Sequence, residues 1–202
     1  VLDEWFVKEV APTLKGRSLI VRFADDFVLG FEREADARRV MAQLVERFAS
    51  YGLELHPDKT RLIRFGRPDD DPPKGHKPET FDFLGFTHYW AKSRRDYWVI
   101  KRKTARKRLR RSMKAIWQWI KDNRHLPVEE LHRMLSLKLR GYYQYFGIWG
   151  NYRQLALIHQ ATRAAWHYWL NRRSRLRNLI GDRFTKLLQR FPLPKPRIIH
   201  NI

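Results

Sequence analysis

Two adjacent carboxylates, Asp25 and Asp26, interrupt an otherwise apolar stretch near the start of the chain. Residues 18–31 read SLIVRFADDFVLGF, so β-branched and aromatic residues flank the pair on both sides. This pattern predicts two short strands with the pair at or near a hairpin turn, which can bring both carboxylates to one side. Acids among apolar side chains are costly, and a divalent cation held by their oxygen atoms offsets that cost. The alternative is a hairpin in which the pair serves turn chemistry alone.

The segment after the hairpin predicts elements that would support it. Residues 36–51 carry apolar side chains at helical spacing and stop at Gly52, which predicts a helix packed across the strands. Residues 53–55 and 60–65 are typical of strands, and the polar residues 56–59 between them of a turn. The first part of the chain is therefore expected to be a small α+β unit.

A loop and a second hairpin are predicted next. Residues 66–80 collect Gly, Pro and charged residues, which favours a loop. Residues 81–90 and 97–100 are rich in aromatic and β-branched residues and flank the polar residues 93–96. This arrangement predicts two strands joined by a turn.

From residue 101 onward, apolar residues recur every three or four positions, which predicts helices. The expected helices cover residues 101–121, a segment that starts at Pro127, a segment capped by Asn151, and residues 176–191. The predicted fold class is α+β, in which β-hairpins and a helix (residues 1–100) precede an all-α basic bundle (residues 101–202).

The formal net charge of +21 is concentrated in the second half of the chain. Residues 1–90 contain 14 Lys and Arg against 16 Asp and Glu, a net charge of −2, whereas residues 91–202 contain 28 against 5, a net charge of +23. Such positive charge favours nucleic acids, because binding releases their condensed counterions. An acidic membrane surface is the competing partner, but the basic residues alternate with Trp and Tyr instead of forming one amphipathic anchor.

The amino-acid composition indicates the cellular compartment of the protein. The chain has no Cys, so it has neither disulfides nor thiolate metal sites, which fits a reducing environment. No apolar stretch is long enough to span a bilayer, and residues 1–5 lack the basic start and apolar centre of a signal peptide. These features predict a cytoplasmic protein without a membrane partner.

Two groups of residues are candidates for contact with nucleic acid. The basic group is expected to cover nearly all faces of the first predicted helix, with few acids to neutralise it. It consists of Lys101, Arg102, Lys103, Arg106, Lys107, Arg108, Arg110 and Arg111. The aromatic group could stack on bases, or could form the core between helices. It consists of Tyr142, Tyr143, Tyr145, Phe146 and Trp149, next to the basic Arg140.

Four segments in order resemble motifs of reverse transcriptases. Phe23-Ala24-Asp25-Asp26 resembles the Tyr-Ala-Asp-Asp signature of these enzymes, with Phe in place of Tyr. Residues 52–60 (GLELHPDKT) resemble the next block of the bacterial members, and Phe83-Leu84-Gly85-Phe86 resembles the primer-grip hairpin. Residues 139–147 (LRGYYQYFG) resemble the thumb, or maturase X domain, of proteins encoded by group II introns.

The resemblance implies RNA-directed DNA synthesis, in which a primer hydroxyl attacks the α-phosphate of a deoxynucleoside triphosphate. Two Mg²⁺ ions clamp such an in-line displacement, and Asp25 and Asp26 match the family's acids. Lys59 matches the lysine proposed to protonate the leaving pyrophosphate, although a Lys after a turn can also be simply solvated. Gly85 would allow a nucleic-acid backbone to approach closely, or would mark an ordinary bulge.

The family's third carboxylate, on an earlier strand, has no counterpart here. The acids before the hairpin are Asp3, Glu4 and Glu9, in a segment typical of a helix. The resemblance therefore implies the C-terminal part of a polymerase, a palm remnant with a thumb, inactive alone and completed by fingers and palm residues encoded upstream or supplied in trans.

Two functions follow from the resemblance. The first is reverse transcription with retromobility, whose partners are intron RNA, an RNA template, a DNA primer and deoxynucleoside triphosphates. The alternative is a maturase that binds intron RNA and assists splicing without polymerase activity, in which the acidic pair is vestigial. Both imply a bacterial-type protein associated with nucleic acid.

Overall fold

The computed structural model describes residues 2–69, 78–173 and 181–201. The chain forms two compact units, Val1–Leu84 (the N-terminal unit) and Gly85–Ile202 (the C-terminal unit). The fold class is α+β as predicted, with antiparallel hairpins followed by helices.

The N-terminal unit contains a hairpin flanked by helices. Its elements are α1 (Leu2–Trp5), β1 (Ser18–Phe23), β2 (Asp26–Phe31), α2 (Glu34–Ala49) and β3 (Phe81–Phe83). A π-helical turn (Phe6–Val10) and a 3₁₀ turn (Ala11–Thr13) extend α1. Strands β1 and β2 pair antiparallel from Ser18↔Phe31 to Phe23↔Asp26.

One face of the β1–β2 hairpin packs on the helical segments and the other faces away from them, as the period-two alternation of a strand requires. The packed face contributes Ile20, Phe27, Leu29 and Phe31, all of them half-buried. The helical side of this core consists of Trp5, Phe6, Val10, Val40 and Leu44. The opposite face of β1 leaves Leu19, Val21 and Phe23 exposed.

The prediction for α2 is confirmed, whereas the strands predicted after it are wrong. The helix ends at Ala49, and Gly52 follows with a φ of 67°, a conformation that glycine adopts without strain. Residues 53–55 and 60–65 form no strand, because they have no partner strand to bond within the part of the chain that is described. The predicted turn at 56–59 is present, with the Thr60 N–H donating to the His56 carbonyl at 2.9 Å.

The loop predicted over 66–80 lies partly outside the described residues, which resume at 78. The strand predicted over 81–90 is divided into two by a tight turn at Leu84 and Gly85, whose φ angles are 50° and 78°. Two consecutive positive φ angles are typical of a type I′ turn.

The C-terminal unit begins with a hairpin and continues as helices. Its elements are β4 (Phe86–Lys92), β5 (Trp98–Thr104), α3 (Arg106–Asn123), α4 (Val128–Phe146), α5 (Tyr152–Asn171) and α6 (Gly181–Arg190). The β4–β5 hairpin confirms the second predicted hairpin, and α4 begins after Pro127 as expected. Helix α6 lies within the predicted segment 176–191, of which residues 176–180 are outside the described ranges.

The prediction that Lys101, Arg102 and Lys103 begin a helix is wrong. All three lie in β5, where they pair with Tyr89, His88 and Thr87 of β4. Ladder hydrogen bonds to β4 keep the chain extended up to Thr104, so α3 can begin only at Arg106.

The helices enclose the larger core of the chain. Its fully buried members include Ile120, Leu131, Leu135, Leu139, Leu155, Ile158 and Trp166, which occupy the faces predicted from their spacing. The extended segment 191–200, here called the C-terminal strap, closes this core with Leu193 and with a bridge from His200 to Ile148. The Tyr143 hydroxyl donates to the Pro194 carbonyl at 3.1 Å and so fastens the strap to α4.

The boundary between the units falls at residues 84 and 85, whereas the sequence placed a domain boundary at 100 and 101. The β4–β5 hairpin groups with the helices because Phe86 packs on their core. Residues 85–90 carry no charge, so the compact units keep the charges of −2 and +23. No helix within the described ranges is both long and apolar enough to cross a membrane.

Candidate functional site

The acidic pair lies at the tip of the β1–β2 hairpin, where the sequence predicted it. Strand β1 ends at Phe23 and β2 begins at Asp26, so Ala24 and Asp25 form a two-residue turn. Ala24 has a φ of 53°, a conformation that costs an L-residue about 1–2 kcal/mol. Both carboxylates are exposed. The hairpin therefore presents two acids to solvent on a backbone that is held in a strained conformation.

Arg22 connects this turn to α1. Its Nε donates to both carboxylate oxygens of Asp3, at 2.9 and 2.8 Å, and its Nη1 donates to the Ala24 carbonyl at 2.9 Å. The guanidinium lowers the pKa of Asp3, chiefly through these hydrogen bonds, and Asp3 raises the pKa of Arg22 in return. One side chain thus fixes both the turn backbone and the start of the chain.

Asp36 fixes the entry to β1 in a similar way. It is buried in the first turn of α2, and its Oδ2 accepts hydrogen bonds from the backbone N–H groups of Lys15 and Gly16, at 3.1 and 3.0 Å. These bonds satisfy a carboxylate that would otherwise be costly to bury. Sequence reasoning assigned no role to Asp36 or Arg22, because the partners of both are remote in sequence.

The acidic pair suits a cation that prefers oxygen ligands, since Mg²⁺ in proteins is commonly held by one or two carboxylates together with substrate phosphates. Across residues 2–69, 78–173 and 181–201, no three His, Cys, Asp or Glu side chains come together where they could hold a metal ion. Asp3 is the acid that contacts the hairpin, but Arg22 engages both of its oxygens. The residues present therefore fit part of a two-metal site.

Lys59 lies in the exposed turn after α2, and its backbone N–H donates to the His56 carbonyl at 3.1 Å. Among the described residues, no hydrogen bond or ion pair joins its ammonium group to Asp25 or Asp26. Its catalytic role stays a prediction.

The predicted primer-grip segment, Phe83 to Phe86, forms the tight turn between β3 and β4. The close approach of a nucleic-acid backbone at Gly85 stays a prediction. A Cβ at this position would lie 3.5 Å from Cε1 of Phe146 and 3.8 Å from Cγ of Arg108, so that side of the glycine already faces protein. Glycine is required here by its φ of 78°. Phe86 stacks on Tyr145, with 5.8 Å between ring centroids.

The basic group predicted around α3 divides into two parts. In β5, the Lys101 ammonium donates to the Lys92 carbonyl at 2.7 Å, and the Lys103 ammonium lies 4.6 Å from the centroid of Tyr89. Arg102, also in β5, is half-buried. The second part is exposed on the first turns of α3 and consists of Arg106, Lys107, Arg108, Arg110 and Arg111.

The exposed cations of α3 cover one side of the helix, not all faces as the sequence suggested. At about 100° per residue, residues 106–111 other than 109 span an arc of roughly 200°. The remaining arc carries Leu109, Met113 and Ile116, which pack on the core. We call the exposed cations of this arc the α3 basic arc.

The aromatic group also divides between core and surface. Tyr143, which the sequence placed among the nucleic-acid contacts, is only 1% exposed and cannot stack on a base. Burial raises the pKa of Tyr143 and also the pKa of Tyr142. The ring centroid of Tyr142 lies 4.5 Å from the ring centroid of Phe146. Tyr145 and Trp149 remain exposed, as does Arg140.

Asn151 has a role that the sequence did not reveal. It precedes α5 as predicted, but its side chain does not cap that helix. The fully buried amide instead accepts from the Thr104 N–H at 2.9 Å and donates to the Thr104 hydroxyl and the Phe146 carbonyl, both at 2.8 Å. It thereby joins the end of β5 to the end of α4.

Comparison with known families agrees with this geometry. Residues 2–88 match the family model described as Reverse transcriptase (RNA-dependent DNA polymerase). The match includes α1, the acidic hairpin, α2 and Lys59, and it indicates a reverse-transcriptase-like function with nucleic-acid partners. No curated protein matches this chain.

Proposed function

We propose that this chain works as part of an RNA-directed DNA polymerase of the kind encoded by group II introns. The observation that carries the proposal is the Asp25–Asp26 pair, held by Arg22 on a strained turn inside the segment that matches reverse transcriptases. Strained backbone is found preferentially at functional sites, where surrounding contacts hold it in place.

In this proposal Asp25 and Asp26 would hold Mg²⁺. The cations would stabilise the charge that develops on the attacking and leaving oxygens of an in-line phosphoryl displacement. Arg22 keeps the turn in position, and the Lys59 ammonium would donate a proton to the leaving pyrophosphate. A third carboxylate would come from outside the described residues, within which no three metal-binding side chains come together and Asp3 is engaged by Arg22.

The C-terminal unit would act as the thumb and bind RNA. Its net charge of +23 gives a strong electrostatic attraction to phosphates. The α3 basic arc offers five exposed cations on one side of a helix. The side chains of the arc would contact the phosphates of the template–primer or of intron RNA.

A maturase without polymerase activity is the second candidate. It is favoured by the absence, among the described residues, of a three-carboxylate cluster at the hairpin. In that case the chain would bind intron RNA through the C-terminal unit, and Asp25 would contribute nothing to its activity.

The test uses the natural polypeptide that contains this chain, with primer extension on an RNA template in Mg²⁺ as the readout. Asp25→Asn preserves side-chain shape but removes the charge, and it should lower the rate at least about a hundredfold, since metal stabilisation of the transition state is worth several kcal/mol. RNA affinity should not change. Glu46→Gln, at an exposed position of α2, is the control and should retain full activity.

Unchanged primer extension by Asp25→Asn would overturn the catalytic role. Intron splicing that is normal in a wild-type polypeptide without any primer extension would favour the maturase. The isolated chain should not extend a primer under the same conditions, and extension by it would show that no further carboxylate is needed.

A further inference from the structure

The C-terminal ends of α3 and α5 carry a cluster of aromatic and basic side chains that none of the motifs includes. Three aromatic rings contact one another: Trp117 lies 4.9 Å from Tyr168 and 5.6 Å from Trp169, and the latter two lie 5.0 Å apart between centroids. Three cations surround them, namely Lys121, Arg124 and Arg172. We call these six residues the α3–α5 cluster.

The cluster is partly open to solvent. Trp117 and Tyr168 are each 38% exposed, although both are large aromatic side chains. Trp166, three residues before Trp169, is fully buried and shows what core packing in α5 looks like. An accessible aromatic surface of this kind is available to a planar ligand.

The cations are positioned on the rings, and none of them pairs with an acid in the part of the chain that the structure describes. The guanidinium of Arg172 lies 4.7 Å from the centroid of Tyr168, and that of Arg124 lies 5.8 Å from the centroid of Trp169. Arg124 also donates to the Lys121 carbonyl at 2.8 Å, which fixes its orientation. Within the described ranges no carboxylate pairs with Lys121, Arg124 or Arg172, so their charges are available to phosphates.

We propose that the α3–α5 cluster binds single-stranded nucleic acid, with an unpaired base stacked on Tyr168 and its flanking phosphates on Lys121, Arg124 and Arg172. This inference rests on the proposed function and adds a second contact site to it. A nucleic acid fits better than an acidic peptide, because an array of aromatic rings beside unpaired cations matches alternating bases and phosphates.

The energetics favour a base over the present neighbour of Tyr168. Stacking of a base on an aromatic side chain is generally stronger than an exposed cation–π contact such as that of Arg172. A base can therefore displace the guanidinium from the ring, and Arg172 then gains a phosphate partner.

The cluster is separate from the α3 basic arc. Arg108 and Lys121 are thirteen residues apart on one helix, which corresponds to about 20 Å at a rise of 1.5 Å per residue. Nucleic acid bound at both sites would thus extend along α3, with its backbone on the arc and an unpaired segment on the cluster.

The test measures binding of the full chain to an unstructured single-stranded RNA, to single-stranded DNA of the same sequence, and to a fully paired RNA duplex. Tyr168→Leu keeps apolar volume but removes the ring, and it should weaken binding of both single strands by about 5- to 100-fold while leaving the duplex unchanged. Tyr168→Phe should bind as the wild type does. Tyr97→Leu, at an exposed tyrosine of the β4–β5 hairpin, is the matched control and should have no effect.

The salt dependence tests the cations. Arg172→Gln should reduce the slope of log affinity against log salt for single strands by about 0.7, the value expected for one lost phosphate contact. Arg133→Gln, an exposed position on α4, removes the same charge elsewhere and should leave the slope unchanged. Circular dichroism of each variant checks that the fold is intact.

The outcomes separate this inference from the proposed function. If wild type binds RNA and neutralisation of the α3 basic arc weakens binding, but Tyr168→Leu and Arg172→Gln do not, then the cluster only packs α3 on α5 and the inference is overturned alone. If wild type binds none of the three nucleic acids, both proposals are overturned. Equal weakening of single strands and duplex by Tyr168→Leu would also overturn stacking.

Discussion

The Arg22 guanidinium donates from Nε to both carboxylate oxygens of Asp3, at 2.8 and 2.9 Å, and from Nη2 to one of them, while its Nη1 donates to the carbonyl of Ala24. The residue that follows Ala24 is the candidate metal ligand Asp25. A surface ion pair of this kind contributes little to global stability, because solvent screens it. Its consequence is local: it keeps the strained turn and the chain's first helix in a fixed relation.

Asp3→Asn should make the N-terminal unit less stable at neutral pH and less sensitive to acid. The folded state lowers the pKa of Asp3 below its ordinary value of 3.8, so the contribution of the pair is fully present above that value. It is lost as pH falls through the still lower folded pKa. The difference in urea midpoint between wild type and Asp3→Asn should therefore be larger at pH 7 than at pH 3. The same difference at both pH values would contradict this prediction. Asp58→Asn, which removes a different exposed carboxylate, is the control.

Ala24→Gly should stabilise the hairpin and Ala24→Val should destabilise it. Glycine removes a left-handed strain of about 1–2 kcal/mol at a φ of 53°, and the greater freedom of the unfolded chain offsets roughly 0.5–1 kcal/mol of that gain. A β-branched side chain at the same φ is strained further. Equilibrium unfolding in urea measures both changes. Stabilisation by valine would mean that the turn does not have the positive φ described.

Asn151→Ala should destabilise the C-terminal unit by about 2–4 kcal/mol. The substitution leaves the Thr104 N–H buried without its partner, at about 1–3 kcal/mol, and removes one hydrogen bond, worth about 1 kcal/mol, from the Phe146 carbonyl, which keeps its bond from the Ile148 N–H. Asn123→Ala removes a single bond to the Trp119 carbonyl at a half-buried position and should cost less than about 1 kcal/mol. Thermal unfolding of the two variants gives the comparison. Equal losses of stability in the two variants would show that the buried hydrogen bonds of Asn151 contribute no more than the single bond of Asn123.

Gly147→Ala and Gly141→Ala should change stability in opposite directions. At Gly147 a Cβ would clash with the Tyr143 carbonyl oxygen and would lie 3.0 Å from that of Arg197, so the end of α4 and the C-terminal strap must both shift, at a cost of about 3 kcal/mol or more. At Gly141, inside α4, a Cβ meets nothing within 4 Å, and alanine should gain about 1 kcal/mol of helix propensity. Urea titrations measure both. Tolerance of Gly147→Ala would mean that the strap is not seated on α4.

Neutralising Arg106, Arg108 and Arg110 to Gln should lower RNA affinity and flatten its salt dependence. Each lost contact to a paired RNA phosphate should reduce the slope by close to one, the value known for duplex DNA being about 0.9. Affinity measured from low to physiological salt provides the slope. Arg133→Gln, measured in parallel, shows the effect of net charge alone. An unchanged slope in the triple variant would exclude the α3 basic arc as a phosphate-binding surface.

Local residue patterns are sufficient to predict several elements of this fold. Alternation around Asp25 and Asp26 is enough to place a hairpin, and the four-residue spacing of Leu131, Leu135 and Leu139 is enough to place a buried helix face. Such periodicities are set by the backbone geometry of each element, which does not depend on the rest of the chain. The ordered motifs around them also anticipated the reverse transcriptase match over residues 2–88.

Strand pairing, burial and long-range hydrogen bonds depend on partners remote in sequence and are set by the tertiary structure. Lys101 and Lys103 have side chains that suit a helix, but pairing of β5 with β4 places them in a strand. Tyr143 and Tyr145 are two residues apart in one motif, yet one is buried under the C-terminal strap and the other is exposed. The contact of Arg22 with Asp3 spans nineteen residues. Burial, strand pairing and long-range hydrogen bonds arise only when distant segments meet, so no local pattern of residues contains them.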